Sequence, residues 1–168
     1  MKTKILCLVF LGLSSWGFSQ HTSSDLIIKM NGDSLRGKIT NIGPDQVTYA
    51  YPNETLTYTI SKNGLKEIQF ASGRIEKVND PIVIKGEEDW EKVKIAVLPS
   101  EVTGLKQVGR IYAVGRPNFG RSLAKKEQIA LDKARKEAAS KGCHLILIES
   151  RNLDTDNDLI LTAVIYSF

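Results

Sequence analysis

Only one stretch of this chain, residues 122–142, has the apolar spacing of an amphipathic α-helix. Ser122 can cap the first turn of this helix, and Gly142 can end it. The rest of the chain is made of short alternating runs separated by turn residues, a pattern typical of β-strands. These features predict a mixed α+β protein whose helix lies close on a sheet through an alanine-rich face. The residues on that face are Leu123, Ala130, Leu131, Ala134 and Ala138.

The pattern changes near residue 80, which predicts two domains. Residues 24–79 alternate in β fashion with no helical spacing, whereas residues 90–168 contain the helix with strand-like runs on both sides. The intervening residues 80–89 include an Asp-Pro pair and a cluster of three acids, so they are interpreted as a linker. The apolar triplet 82–84 within the linker is an alternative edge strand.

The first domain is predicted to contain three hairpins. Asn31-Gly32 between two apolar runs is the strongest short-range hairpin signal, and Pro52-Asn53 and Ala71–Gly73 mark two further turns. Residues 61–64 fit one turn of 3₁₀ helix. Five or six short strands in roughly 55 residues favour a small SH3-like or Sm-like barrel, because an open sheet of this size leaves much of its core wet.

The second domain has the predicted order β-β-α-β-β. Strands Val93–Leu98 and Val108–Val114 precede the helix, and Cys143–Glu149 and Leu159–Tyr166 follow it. The third of these strands is apolar on both faces, which places it inside the sheet. We expect a two-layer sandwich of one helix on a mostly antiparallel four-stranded sheet.

The first nineteen residues, 1–19, have the pattern of a secretion signal. Lys2 and Lys4 precede an apolar run over residues 5–13, well short of the roughly 20 residues that span a bilayer. The mature chain is therefore expected to begin at Gln20, to lack a transmembrane helix and to be exported to the periplasm, the cell envelope or the exterior.

The charge pattern argues against a nucleic-acid-binding protein, and the cysteine content argues against an intramolecular disulfide. The signal holds two of the 23 basic residues and none of the 19 acidic ones, so the formal charge of +4 falls to +2 in the mature chain. Acids and bases are interspersed, which argues against a nucleic-acid partner. Cys7 leaves with the signal, and Cys143 then has no intramolecular disulfide partner.

Two polar motifs contain residue types found in catalytic or metal sites. Cys143-His144 cannot act as a thiol activated by imidazole, because neighbours along a strand point to opposite faces. Asp154, Asp156 and Asp158 alternate as in a calcium loop, but the glycine and glutamate of such a loop are absent. The sequence predicts a polar hairpin there, no catalytic residues, no metal site and no cofactor.

The loop from Gly115 to Arg121 brings two glycines and two arginines to the start of the helix, where backbone N–H groups favour an anion. Its candidate ligand-binding residues are Arg116, Asn118 and Arg121. The loop lacks the Gly-Lys-Ser/Thr ending of a phosphate-binding loop, so a plain connector is the alternative.

The first domain resembles a segment of uncharacterised secreted proteins of Bacteroidota. The likeness rests on residues 25–39, on Val47-Thr48-Tyr49 and on residues 68–73. It implies export and carries no catalytic residues. Asp33-Ser34-Leu35 is similar to the three-residue O-glycosylation signal of that group, which implies a sugar on Ser34.

The second domain resembles YbjQ-like domains and the envelope-stress sensor lipoprotein of the Rcs system. The likeness is carried by residues 133–148, preceded by Val114-Gly115. Their usual Ala-Asn after the glycine is replaced by Cys143-His144, and the sensor's disulfide-forming cysteines and lipid anchor have no counterparts. The resemblance implies a fold more than an activity.

Together these features predict a non-catalytic binding or assembly protein of the cell envelope. Exposed strand edges would pair with a partner protein or with a second copy of the chain, giving a homo-oligomer. One alternative is a small-ligand or anion-binding protein, or an enzyme, that uses residues 115–121. The other is an envelope-stress sensor.

Overall fold

The computed structural model describes residues 24–116 and 122–168, so the predicted signal 1–19 lies outside the described residues. Within the described residues, ten strands in two sheets and one α-helix confirm the mixed α+β class. No helix in these two ranges is both long and apolar enough to cross a membrane. The strands of the first sheet are β1 (Asp25–Lys29), β2 (Ser34–Ile42), β3 (Gln46–Ala50), β4 (Thr57–Ser61), β5 (Leu65–Gln69) and β6 (Ile75–Lys77).

The first sheet is antiparallel throughout, in the order β4-β3-β2-β1-β5-β6. All three predicted hairpin turns are present, and each contains a residue of positive φ: Gly32 (90°), Asn53 (65°) and Gly73 (87°). The predicted 3₁₀ turn occupies Lys62–Gly64, and the Ser61 hydroxyl accepts a hydrogen bond from the Asn63 N–H at its start. The core of this sheet consists of Ile27, Val47, Tyr49, Ile60, Leu65 and Ile68.

The predicted barrel is wrong, because the six-stranded sheet is open. Its terminal strands β4 and β6 each pair with one neighbour and not with each other. The physical reason is that the second half of the chain packs against the β4 end of the sheet. There the Ser61 N–H donates to the Thr103 carbonyl at 2.8 Å, and a Cβ built on Gly104 would lie 3.1 Å from Cγ1 of Ile60. The barrel prediction assumes that the first half of the chain buries its core without contacts from the second half.

The second sheet has the order β7-β9-β10-β8, and α1 (Leu123–Ser140) packs on β8 and β10. As predicted, the third strand of this half lies inside the sheet. Strand β7 pairs with β9 in parallel, which gives the otherwise antiparallel sheet one parallel pair. Parallel neighbours need a long crossover connection, and β8 and α1 form that connection between β7 and β9. The strands are β7 (Lys94–Ala96), β8 (Lys106–Gly115), β9 (Leu145–Leu153) and β10 (Leu159–Ser167).

The alanines of the predicted face of α1 are buried against the sheet, and Leu131 is partly buried. The prediction is wrong for Leu123, which lies in the first turn of the helix and is 56% exposed. Ala130, Ala134 and Ala138 have no exposed surface. Helix and sheet come so close at Gly115 that a Cβ built there would lie 2.0 Å from the backbone oxygen of Lys126. The helix begins directly after Ser122 and is followed by Gly142 at φ 66°, which agrees with the predicted bounds. The Ser122 side chain, however, makes no capping hydrogen bond.

The face of the second sheet opposite α1 is covered over part of its length. Ala96, Val102, Leu145 and Leu147 form a buried cluster there, with Leu105, Tyr166 and Phe168 packed around it. Val102 lies in a 3₁₀ turn, Pro99–Val102, that follows β7. This turn shortens the predicted strand Val93–Leu98 to three residues.

The stretch interpreted as a linker contains no strand, so the alternative of an edge strand at 82–84 is not observed. It is nevertheless anchored at both ends. The Asn79 amide donates to the carbonyls of Lys62 and Leu65 at 2.7 and 2.8 Å, and Ile84 packs against the core beneath α1. The chain then enters a 3₁₀ segment, Glu87–Lys92.

Polar contacts join the two halves of the chain. The Ser61 hydroxyl and the Asn63 amide both donate to the carbonyl of Glu101, at 2.6 and 3.0 Å. The Gln46 amide donates to Thr103 Oγ1 at 2.9 Å. Ser61 has no exposed surface, so these hydrogen bonds satisfy groups that burial would otherwise leave without partners.

Candidate functional site

Arg116, the one loop candidate that the structure describes, forms an ion pair. Its Nε donates to Asp158 Oδ2 at 2.6 Å, and Asp158 is 6% exposed. Hydrogen bonding and attraction to this carboxylate raise the pKa of Arg116. The other two candidates, Asn118 and Arg121, lie outside the described residues. The anion-binding loop therefore stays a prediction, and Arg116 would have to leave Asp158 to give its Nε to a ligand.

Cys143 and His144 face different surroundings. Cys143 is buried in the core beneath α1, and burial raises the pKa of its thiol. The ring of His144 stacks on Phe168 with centroids 4.2 Å apart, and burial lowers its pKa. A buried thiol with a raised pKa carries little thiolate at neutral pH, so this pair is not arranged as a nucleophile and its base.

The aspartate-rich stretch forms the predicted polar hairpin between β9 and β10. Asp154 Oδ1 accepts hydrogen bonds from the backbone N–H groups of Asp156 and Asp158, at 3.0 and 2.8 Å. Asn157 adopts φ 59° at the turn. Asp154 Oδ1 is thus used within the turn, and Asp158 Oδ2 accepts from Arg116. Across residues 24–116 and 122–168, no cluster of three or more His, Cys, Asp or Glu side chains is arranged to hold a metal.

Strand β8 forms one edge of the second sheet and pairs only with β10. It is ten residues long, the longest strand in the described chain. An edge strand presents N–H and C=O groups on the side that has no neighbour, where an extended chain can add as another strand. The edge strands of the first sheet, β4 and β6, have only five and three residues.

Exposed side chains accompany this edge on the face opposite α1. Ile111 and Ala113 are buried beneath the helix, so the alternating residues Arg110 and Tyr112 point to the other face. Tyr112 is 64% exposed and Val108 45%. We call the strand Lys106–Gly115, together with these outward side chains, the β8 surface.

Arg110 is held in place on the β8 surface by Glu149 of β9. Two nitrogens of its guanidinium contact the two carboxylate oxygens of Glu149, at 2.8 and 2.9 Å. This hydrogen bonding and attraction raise the pKa of Arg110. Tyrosine and arginine are among the residue types enriched in the energetic hot spots of protein–protein interfaces.

One end of the β8 surface is partly covered by the helix. Lys133 of α1 reaches back and donates to the carbonyl of Val114 at 2.8 Å. A lysine over a strand end is a common way to block pairing at a sheet edge. The register of β8 with β10 also shifts at Val108, which has no partner between Gln107 and Gly109. The regular backbone available to a partner is therefore concentrated between Gly109 and Tyr112.

Sequence reasoning anticipated exposed strand edges but named no residue on them. Val108, Arg110 and Tyr112 alternate with Ile111 and Ala113, a period-two pattern visible in the sequence. That pattern indicates two faces and does not say which strand lies at an edge, because strand order depends on pairing between distant segments.

A second exposed aromatic group lies on the hairpin of β3 and β4. The rings of Tyr49, Tyr51 and Tyr58 contact one another with centroids 5.2 to 5.9 Å apart. Tyr49 is buried, and the other two rings are partly exposed. The Tyr58 hydroxyl donates to Glu54 at 3.2 Å. The cluster packs the outer end of the hairpin.

Comparison with protein-family models, with curated proteins and with solved structures gives no match. The class that the fold defines is a mixed α+β protein of two open sheets. The resemblances to secreted Bacteroidota proteins and to YbjQ-like and Rcs-sensor domains stay predictions.

Proposed function

We propose that this protein is a non-catalytic binding or assembly protein of the cell envelope, exported and acting through protein–protein contacts at the β8 surface. The observation that carries the proposal is a ten-residue edge strand with exposed Tyr112 and Val108 beside it. A partner segment would add as a fifth strand to the sheet and cover these side chains. Backbone pairing would supply affinity, and the side chains would select the partner.

The chemistry of the described residues favours contact over reaction. The thiol of Cys143 is buried, Asp154 bonds the backbone of its own turn, and Arg116 is paired with Asp158. These candidate groups therefore have structural roles. Export rests on the signal-like segment 1–19 and on the resemblance to secreted proteins.

A site-specific photocrosslinker at position 112 tests this function in the cells that make the protein. We expect it to give one or a few discrete crosslinked species, because the side chain stands on the proposed contact surface. The matched control places the crosslinker at Lys136, an exposed position on α1 and away from the β8 edge. Identical crosslinking patterns from the two positions, or none from either, would contradict the proposal.

Mass spectrometry of the crosslinked species separates the possible partners. A species of twice the mass of the chain would indicate self-pairing through β8, and a heterologous species would identify another protein. Cell fractionation of the same samples tests localisation, since the envelope-stress-sensor alternative predicts stable association with the outer membrane. A product that retains Met1 in the cytosol would refute the export part of the proposal.

A further inference from the structure

The backbone of β8 alternates between groups that bond to β10 and groups that face the open side of the edge. In a strand, the N–H and C=O groups of successive residues point to opposite sides. The carbonyl of Tyr166 in β10 accepts the N–H of His144, so Tyr166 faces β9 and its neighbour Ile165 faces β8. Ile165 pairs with Gly109 of β8, so Gly109 bonds to β10 and the next residue, Arg110, faces the open side.

A separate contact at the other end of β8 gives the same alternation. The carbonyl of Val114 accepts Nζ of Lys133 from α1 at 2.8 Å, so this carbonyl is directed away from β10. The pairing of β8 with β10 is unbroken over residues 109–115. Arg110 and Tyr112 therefore point their backbone groups in the same direction as Val114, towards the open side.

The part of this edge that a partner strand can use is limited to Arg110 and Tyr112. Val108 lies where the register with β10 shifts, so regular strand geometry ends there. Val114 is the limit on the other side, because Lys133 already occupies its carbonyl. The two limits lie symmetrically, each three residues from Ile111.

This symmetry fits a second, antiparallel copy of β8. In a dimer with a two-fold axis the same strand of each copy is used, and residues pair reciprocally. With the axis beside Ile111, Arg110 of each copy lies opposite Tyr112 of the other, and each such pair exchanges two backbone hydrogen bonds. The limits Val108 and Val114 then lie opposite each other, where neither is needed. Moving the axis by one residue in either direction places a usable position opposite a limit.

The side chains are compatible with the same register. Arg110 and Tyr112 lie on the face opposite α1, where Tyr112 is 64% exposed. The register places the ring of Tyr112 beside the guanidinium of Arg110 from the other copy, and an arginine attracts an aromatic ring through its quadrupole. An axis beside Arg110 would instead set the two arginines directly opposite each other, which is destabilising. Ile111 is 1% exposed beneath its own helix, so it presents no exposed side chain at the axis.

We propose that the partner of the β8 surface is a second copy of this chain, paired antiparallel through β8 about a two-fold axis beside Ile111. This inference rests on the function proposed above and names its partner. The two four-stranded sheets would join into one sheet of eight strands, with both helices on the same face. Neither copy would then leave β8 open to uncontrolled pairing with other chains.

Cysteine crosslinking tests the register directly. A chain with Arg110→Cys is co-expressed with a differently tagged chain with Tyr112→Cys, and the purified protein is oxidised mildly. The proposed register places these two cysteines in a hydrogen-bonded pair with Cα atoms about 5.5 Å apart, within reach of a disulfide. We therefore expect a disulfide-linked dimer that carries both tags. Cys143 is buried and should take no part in the reaction.

Two controls accompany this experiment. Either cysteine variant alone places its two thiols on a diagonal of the pairing, with Cα atoms about 7–8 Å apart, and should give no linked dimer. Tyr58→Cys, on edge strand β4 of the first sheet, should give none when it is co-expressed with Arg110→Cys.

Analytical ultracentrifugation of the unmodified protein measures the association without added cysteines. We expect a dimer whose population rises with protein concentration. Tyr112→Ala should weaken this dimer at least tenfold, which corresponds to about 1.4 kcal/mol, because it removes the ring that faces Arg110. Tyr58→Ala changes an exposed tyrosine on β4 and should leave the association unchanged.

A monomer at every concentration, or a linked dimer from either cysteine variant alone, would overturn the inference. So would an association that Tyr112→Ala leaves unchanged. A monomeric protein whose photocrosslinker at position 112 captures a different protein would refute self-pairing and leave the proposed function standing. A monomer that also gives no crosslink at position 112 would refute both.

Discussion

Replacing Gly115 with alanine should separate α1 from its sheet. The added Cβ would lie 2.0 Å from the backbone oxygen of Lys126, 2.8 Å from its carbonyl carbon and 3.3 Å from the Cβ of Ala130. A carbon and an oxygen that are not bonded need more than 3 Å, so the helix would have to move by roughly an ångström or more. A flexible side chain could give way, whereas the Lys126 carbonyl belongs to the helix backbone.

Overpacking of a core costs about 1–3 kcal/mol, and a clash with backbone lies at the upper end of that range. We therefore expect Gly115→Ala to lower the free energy of unfolding by about 3 kcal/mol. In a chain of this size that corresponds to a fall of roughly 6–12 °C in Tm. Urea and thermal unfolding followed by circular dichroism measure both quantities.

Gly109→Ala is the matched control, because Gly109 lies on the same strand and a Cβ added there meets nothing within 4 Å. It should be neutral or slightly stabilising, since alanine loses less backbone entropy than glycine on folding. If the two variants melt within about 2 °C of each other, the close approach of helix and strand does not limit stability and the reasoning fails.

Two further predictions concern buried titratable groups. The Cys143 thiol should react with a disulfide reagent only when urea unfolds the chain, because burial both shields it and raises its pKa; rapid reaction of the native protein would contradict this. Burial, with a smaller contribution from Tyr51, raises the pKa of Tyr49 from 10.0 to about 12. The folded state thus holds this proton more tightly than the unfolded state, so its contribution to stability is complete below pH 10 and is lost as the pH rises towards 12. Tyr49→Phe should show a shallower loss of unfolding free energy over this range, and an unchanged slope would refute the assignment.

The features that the sequence predicted correctly are local. Turns form at all three predicted sites, Asn31-Gly32, Pro52-Asn53 and Ala71–Gly73, because glycine and asparagine adopt positive φ with little conformational strain. The end of α1 follows from Gly142, which adopts φ 66°, for the same reason. Each of these signals involves residues within a few positions of one another.

The features that the sequence did not predict depend on contacts between segments that are far apart in the chain. The contact between Gln46 and Thr103 joins residues 57 positions apart, and it belongs to the interface that makes closure of the first sheet unnecessary. The parallel pairing of β7 with β9 likewise links segments separated by β8 and α1. Residue periodicity describes the faces of a strand and contains no information about its neighbours.

The candidate sites show the same division. Arg116 is a candidate because it precedes the helix, but its partner Asp158 lies 42 positions later in the chain, and local sequence contains no information about that pairing.

The carbonyl of Glu101 accepts from both Ser61 and Asn63, residues 40 and 38 positions earlier in the chain. If either half were fused to an unrelated protein, the Ser61 hydroxyl and the Asn63 amide would lose the Glu101 carbonyl as their acceptor. Substitutions at this interface between the two halves are therefore tolerated only when both sides change together. Chimeras that keep residues 61–63 together with residues 99–105 should express better than chimeras that replace only one of these segments.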